Sequence, residues 1–90
     1  MIEARTERPP ASLLYFVAQV ATHARIALGE IPNPVTREAK LDLDTVEHCI
    51  ALLEVLEEKT EGNRTEDESD AIESTLQDLR VRLLDAEDAV

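Results

Sequence analysis

Glu58-Lys59-Thr60-Glu61-Gly62-Asn63-Arg64-Thr65-Glu66-Asp67-Glu68 reads as the tight joint of a helical hairpin. A helix ending near Lys59 or Thr60 leaves its last carbonyls without intrahelical partners. Gly62 suits the left-handed residue that closes such an end, because it has no Cβ to clash. Lys59 sets a positive charge at the negative end of the helix dipole. Thr65 and Glu68 stand in the spacing of a capping box, hydroxyl to amide in one direction and carboxylate to amide in the other. Glu66, Asp67 and Glu68 add negative charge to the first turn of the next helix, where the dipole favours it. The pattern is helix, short turn, helix, and so short a turn makes the two helices antiparallel neighbours. Lys59, Gly62, Asn63, Thr65 and Glu68 form this structural joint.

A phosphate-binding loop is the functional rival, since Gly, Lys and Thr all occur here. Their order is wrong for a P-loop, and the dense carboxylates would repel a phosphate. Asn63-Arg64-Thr65 also matches a glycosylation sequon, a short pattern with no meaning unless the chain is secreted.

The core stripe of the helix before the joint is Val46, Cys49, Ile50, Leu53 and Leu56. That helix begins near Asp42 or Asp44; Ala51 and Val55 fall on its far side. The helix after the joint runs from Glu66 to about Glu87. Its stripe is Ile72, Leu76, Leu79, Leu83 and Ala86, with Val81 and Leu84 off it. Upstream, Gly29-Glu30-Ile31-Pro32-Asn33-Pro34 opens a linker over residues 29–41, where two prolines exclude regular helix or central strand.

The first helix spans Leu13 to Leu28, with Ser12 as N-cap and Gly29 closing it. It carries two seams. Leu13, Val17, Val20, Ala24 and Ala27 form one. Tyr15, Gln19, Thr22 and Ile26 form the other, on the opposite side. A surface helix has one apolar stripe, so two seams predict a central helix with contacts on both sides. The second seam is the candidate self-association surface. The expected fold is all-α: a three-helix bundle made of a hairpin of helices 2 and 3 plus a central helix 1, assembled as a homodimer. Residues 1–11 read as a flexible N-terminal segment and 12–88 as a single helical domain. Ninety residues give a small core, and small domains gain stability by oligomerising.

The formal net charge is −11 and is unevenly placed. Residues 1–40 carry five bases and four acids, a balance of +1; residues 41–90 carry four bases and sixteen acids, a balance of −12. An acidic surface argues against nucleic acid and anionic membrane as partners and leaves a basic protein as a candidate. The first helix is too short and too polar to span a bilayer. Arg5 and Arg8 before an apolar stretch raise a signal peptide, but Glu3, Glu7 and the lack of a small-residue cleavage site speak against it. The single cysteine, Cys49, sits among apolar neighbours and reads as core; a reducing, cytoplasmic setting fits.

No catalytic constellation stands out, and an enzyme is unsupported. The acids lie on helix faces and in caps rather than as a pair in a concave site. No Glu-x-x-His di-metal motif occurs; Asp44 and His48 share a helix face but make only two ligands. His48 reads as a surface partner of Asp44, and His23 as a satisfied histidine at the boundary of the core. Asp78 and Arg80 read as ion-pairing with neighbouring helices. No metal, cofactor or catalytic residue is expected. A pocket between subunits near Pro32 and Pro34, holding a small molecule, is the alternative to an interaction module.

Three segments carry a resemblance: Leu28-Gly29-Glu30-Ile31-Pro32-Asn33-Pro34, Leu52-Leu53-Glu54-Val55-Leu56-Glu57-Glu58-Lys59-Thr60-Glu61-Gly62-Asn63, and Leu76-Gln77-Asp78-Leu79-Arg80-Val81-Arg82. In this order they resemble the bacterial family called domain of unknown function 1844, over roughly residues 13–84. Arg64 stands where the resemblance leads one to expect leucine, and Gln77 where tyrosine is usual. The resemblance implies a small helical bacterial protein with no established activity, and it supplies no catalytic residues.

Overall fold

Three side-chain caps start three helices. In the computed structural model, which describes residues 10–89, these are α1 (Leu13–Ala27), α2 (Leu43–Lys59) and α3 (Glu66–Ala89). Ser12 Oγ accepts from the Tyr15 amide at 3.0 Å to open α1. Asp42 opens α2 by accepting from the Thr45 amide at 3.2 Å and the Thr45 hydroxyl at 2.6 Å. Thr65 and Glu68 open α3 reciprocally, at 3.1 and 2.8 Å. Each cap satisfies amides that a helix start leaves without partners. Gly29 and Gly62, at φ +81° and +85°, lie in the left-handed region just past the ends of α1 and α2. Of the segment read as flexible, residues 1–9 lie outside the described residues.

One stripe of each helix faces the common core. Val17, Val20, Ala24 and Ala27 come from α1, Val46, Cys49, Ile50 and Leu53 from α2, and Ile72, Leu76 and Leu79 from α3. Leu13, Leu28, Leu56 and Leu83 pack against this set while partly exposed. Burying a side chain of the Leu or Ile class stabilises by about 1.5–3 kcal/mol, so the fully buried Leu53, Ile72, Leu76 and Leu79 dominate the core.

The helix directions follow from their ends. The short joint makes α2 and α3 antiparallel. The Asp42 amide donates to the Ala27 carbonyl at 2.7 Å, which sets the start of α2 beside the end of α1 and makes that pair antiparallel too. Arg82 reaches Glu30 at 2.8 Å, so α3 runs in the same direction as α1. Each helix packs on the other two. Helix α1 is therefore not central within one chain: its second seam faces outward, and the reading of a central helix needs something beyond this chain to cover it.

The segment joining α1 to α2 is a tied turn rather than a plain spacer. Asn33 Oδ1 accepts from the amides of Val35 at 2.8 Å and Thr36 at 3.1 Å. The Asn33 amide donates to Glu38 O at 2.9 Å, and the Arg37 amide donates to Asn33 O at 2.7 Å. Closing this knot holds Arg37 at φ +65°, a left-handed conformation that costs a residue bearing a Cβ about 1–2 kcal/mol. A side chain that hydrogen-bonds backbone two and three residues on is the mechanism by which Asn nucleates turns.

Candidate functional site

The outer face of α1 is built from the seam Tyr15, Gln19, Thr22 and Ile26. Tyr15 is 40% exposed, Gln19 and Thr22 are exposed, and Ile26 is half-buried. Gln19 Nε2 donates to the Tyr15 hydroxyl at 3.1 Å, so the polar groups of the stripe partly satisfy each other. Phe16, 51% exposed, flanks it. Sequence periodicity missed Phe16 because its angle falls between the two seams. Both aromatic residues of the chain thus stand on the surface of one helix.

Charge sets this helix apart. Between Leu13 and Ala27 there is one base, Arg25, and no acid. Helix α2 carries five acids and one base, a balance of −4, and α3 carries nine acids and two bases, a balance of −7. The neutral, aromatic face and the acidic faces therefore lie on different helices.

The joint residues sit at the opposite pole of the chain from the linker. Lys59 is the last residue of α2 and is exposed, and the Asn63 amide donates to Thr60 O at 2.9 Å. The Thr60 hydroxyl turns back to Leu56 O at 2.7 Å. Arg64 does not stand free at the surface. It is half-buried, with Nε donating to Ser69 Oγ at 3.0 Å and Nη1 to Thr60 Oγ1 at 3.2 Å and to Glu57 O. The Glu57 carbonyl lies in the last turn of α2, where helical partners run out. One guanidinium thus ties the end of α2 to the first turns of α3.

Asp78 and Arg80 join the helices as exposed ion pairs. Arg80 meets Glu54 of α2 at 2.7 Å. Asp78 accepts from Arg82 Nε at 2.8 Å and lies 3.8 Å from Arg25 of α1. Hydrogen bonds to Asp78 and Glu30 hold the Arg82 guanidinium above its ordinary value. Such exposed pairs set register more than they stabilise.

The two histidines do not sit as the sequence suggests. His23 is exposed rather than at the core boundary, and no hydrogen bond joins Asp44 and His48 among the described residues. His23 instead lines an open cavity of about 560 Å³, whose wall also includes Ile26, Asn33, Thr36, Lys40 and Leu41. Cys49 is fully buried, and burial pushes its thiol up, away from the thiolate that a nucleophile requires. Among the described residues no group of three or more His, Cys, Asp or Glu could hold a metal ion, and no helix is long and apolar enough to cross a membrane. What this surface offers chemically is contact area and charge.

A protein-family model described as Domain of unknown function (DUF1844) matches residues 10–85. No curated protein and no solved structure matches the chain.

Proposed function

The chain belongs to the family described as Domain of unknown function (DUF1844), and from that premise we propose that it is a non-enzymatic interaction or scaffold module that self-associates. The single helical unit 12–88 pairs as a twofold homodimer through the outer face of α1, in a reducing, cytoplasmic setting. One observation carries the reading: Tyr15 and Phe16 are exposed on the helix that has no acid. Aromatic side chains are enriched at interface cores and charged ones depleted there. A chain of net charge −11 meets a second copy at least electrostatic cost where its acids are absent. A twofold interface uses the same patch twice, so α1 would pack on its own counterpart. Leu52 and Val55 on α2 are exposed apolar residues as well, and stable pairs bury roughly 800 Å² per partner. Light scattering after gel filtration tests this. A dimer is expected at tens of micromolar, and Tyr15→Glu with Ile26→Glu should give a helical monomer. A wild-type chain that stays monomeric at that concentration sinks the reading.

The cavity beside the linker favours a second reading, a small-molecule site. It lies against Ile26 of the seam, so a partner copy on α1 would border it. A thermal-shift panel of metabolites and metals separates the two: stabilisation by one compound, lost in His23→Ala and Asn33→Ala, supports the site.

A further inference from the structure

The hairpin has an outer groove that the α1 face does not use. It lies between α2 and α3 and encloses about 330 Å³. Leu76 is among its lining residues, Val81 and Leu84 line it with 53% and 61% exposure, and Glu57 of α2 and Glu73 of α3 line it too. Its one base, Arg80, is already paired with Glu54 at 2.7 Å. The groove thus combines apolar and acidic lining residues, on the two helices that hold most of the chain's negative charge.

We propose that this groove docks a basic amphipathic helix of a partner protein. Helix-in-groove recognition uses apolar anchors one helical turn apart, and Val81 and Leu84 present apolar side chains at that spacing. Lysines or arginines flanking the anchors of the incoming helix would meet Glu57 and Glu73, and such complementarity raises both on-rate and specificity. A second copy offering the same face is a poor occupant, because it would set one α3, at −7, against another. The α1 face of a second copy is apolar but lacks the flanking cations, having only Arg25. Charge therefore divides the two apolar surfaces between two kinds of partner. The groove proposal does not depend on self-association.

The probe is an eighteen-residue Leu/Lys amphipathic helix, labelled for fluorescence anisotropy, beside a scrambled peptide of the same composition. The full chain is used at 150 mM salt. The expected result is at least tenfold tighter binding of the amphipathic peptide. Val81→Glu with Leu84→Glu should lose at least tenfold, as should Glu57→Lys with Glu73→Lys, while Tyr15→Glu with Ile26→Glu leaves binding unchanged. All substituted side chains in the groove except Glu57 are exposed, and circular dichroism checks that each variant is helical. Equal binding of the scrambled peptide, or groove variants that bind as the wild type, overturns the proposal. So does loss of the oligomer in the Val81, Leu84 variant, which would assign the groove to a second copy.

Discussion

Arg64→Ala should destabilise the protein by about 1–2 kcal/mol although the side chain lies outside the hydrophobic core. The guanidinium makes three hydrogen bonds, to Glu57 O, Thr60 Oγ1 and Ser69 Oγ. A hydrogen bond with a charged partner contributes about 1.5–3 kcal/mol when sheltered, and a backbone carbonyl left without a partner costs about 1–3 kcal/mol. Arg64 is only half-buried, so water replaces part of what is lost and the lower part of that range applies. For a chain of this size, about 1–2 kcal/mol lowers Tm by about 5–15 °C. All three acceptors are uncharged, so the loss should change little between 50 and 500 mM salt. If Arg64 acted instead as a cation in an acidic field, salt would screen its contribution away. The assay is urea unfolding followed by circular dichroism at fixed protein concentration in both salts. Hydrogen exchange should show faster opening of the last turn of α2. Arg64→Lys should recover less than half of the loss, because one ammonium cannot span the same fork. A variant within about 0.3 kcal/mol of wild type, a loss confined to low salt, or full rescue by lysine would show that the guanidinium does not tie the two helices.

Leu53→Ala removes a fully buried side chain from the centre of α2 and should cost about 2–5 kcal/mol, read as a shift in urea midpoint without change of slope. Thr65→Ala deletes the 3.1 Å cap on the Glu68 amide and should cost about 1 kcal/mol, with fraying of the first turn of α3 in exchange measurements. Gly62→Ala should cost about 1–2 kcal/mol from backbone strain alone, since φ is +85° and no atom lies within 4 Å of an added Cβ. Asp42 is held below its ordinary value, first by the Thr45 hydroxyl and then by the Thr45 amide. A carboxyl lowered in the folded state adds stability above its unfolded value of about 3.9 and loses it as pH falls through the folded one. Helicity of α2 should therefore fall on acidification below about pH 4, and Asp42→Asn, which caps without titrating, should flatten that fall in a circular dichroism titration.

The three helices and the side each turns to the core are written in local sequence pattern. Those features are local: Ser12, Asp42 and Thr65 satisfy amides within their own first turns, and the apolar spacing of Val46, Ile50 and Leu53 recurs with the helical period. Gly29 and Gly62 marked helix ends for the same reason, since a left-handed residue is a property of one position. Contacts between segments were not legible. Nothing in the spacing says that Arg64 folds back on Glu57 and Thr60, that Asn33 knots the linker through Glu38, or that Arg82 bridges to Glu30, fifty-two residues away. Long flexible side chains choose partners only after helices are packed, because many acceptors are within reach and tertiary geometry selects among them. Packing also decided that α1 turns Tyr15 and Phe16 outward. Period alone could say that α1 has two sides, but only the placement of α2 and α3, both against the same seam, shows that the chain leaves the second side without a neighbour.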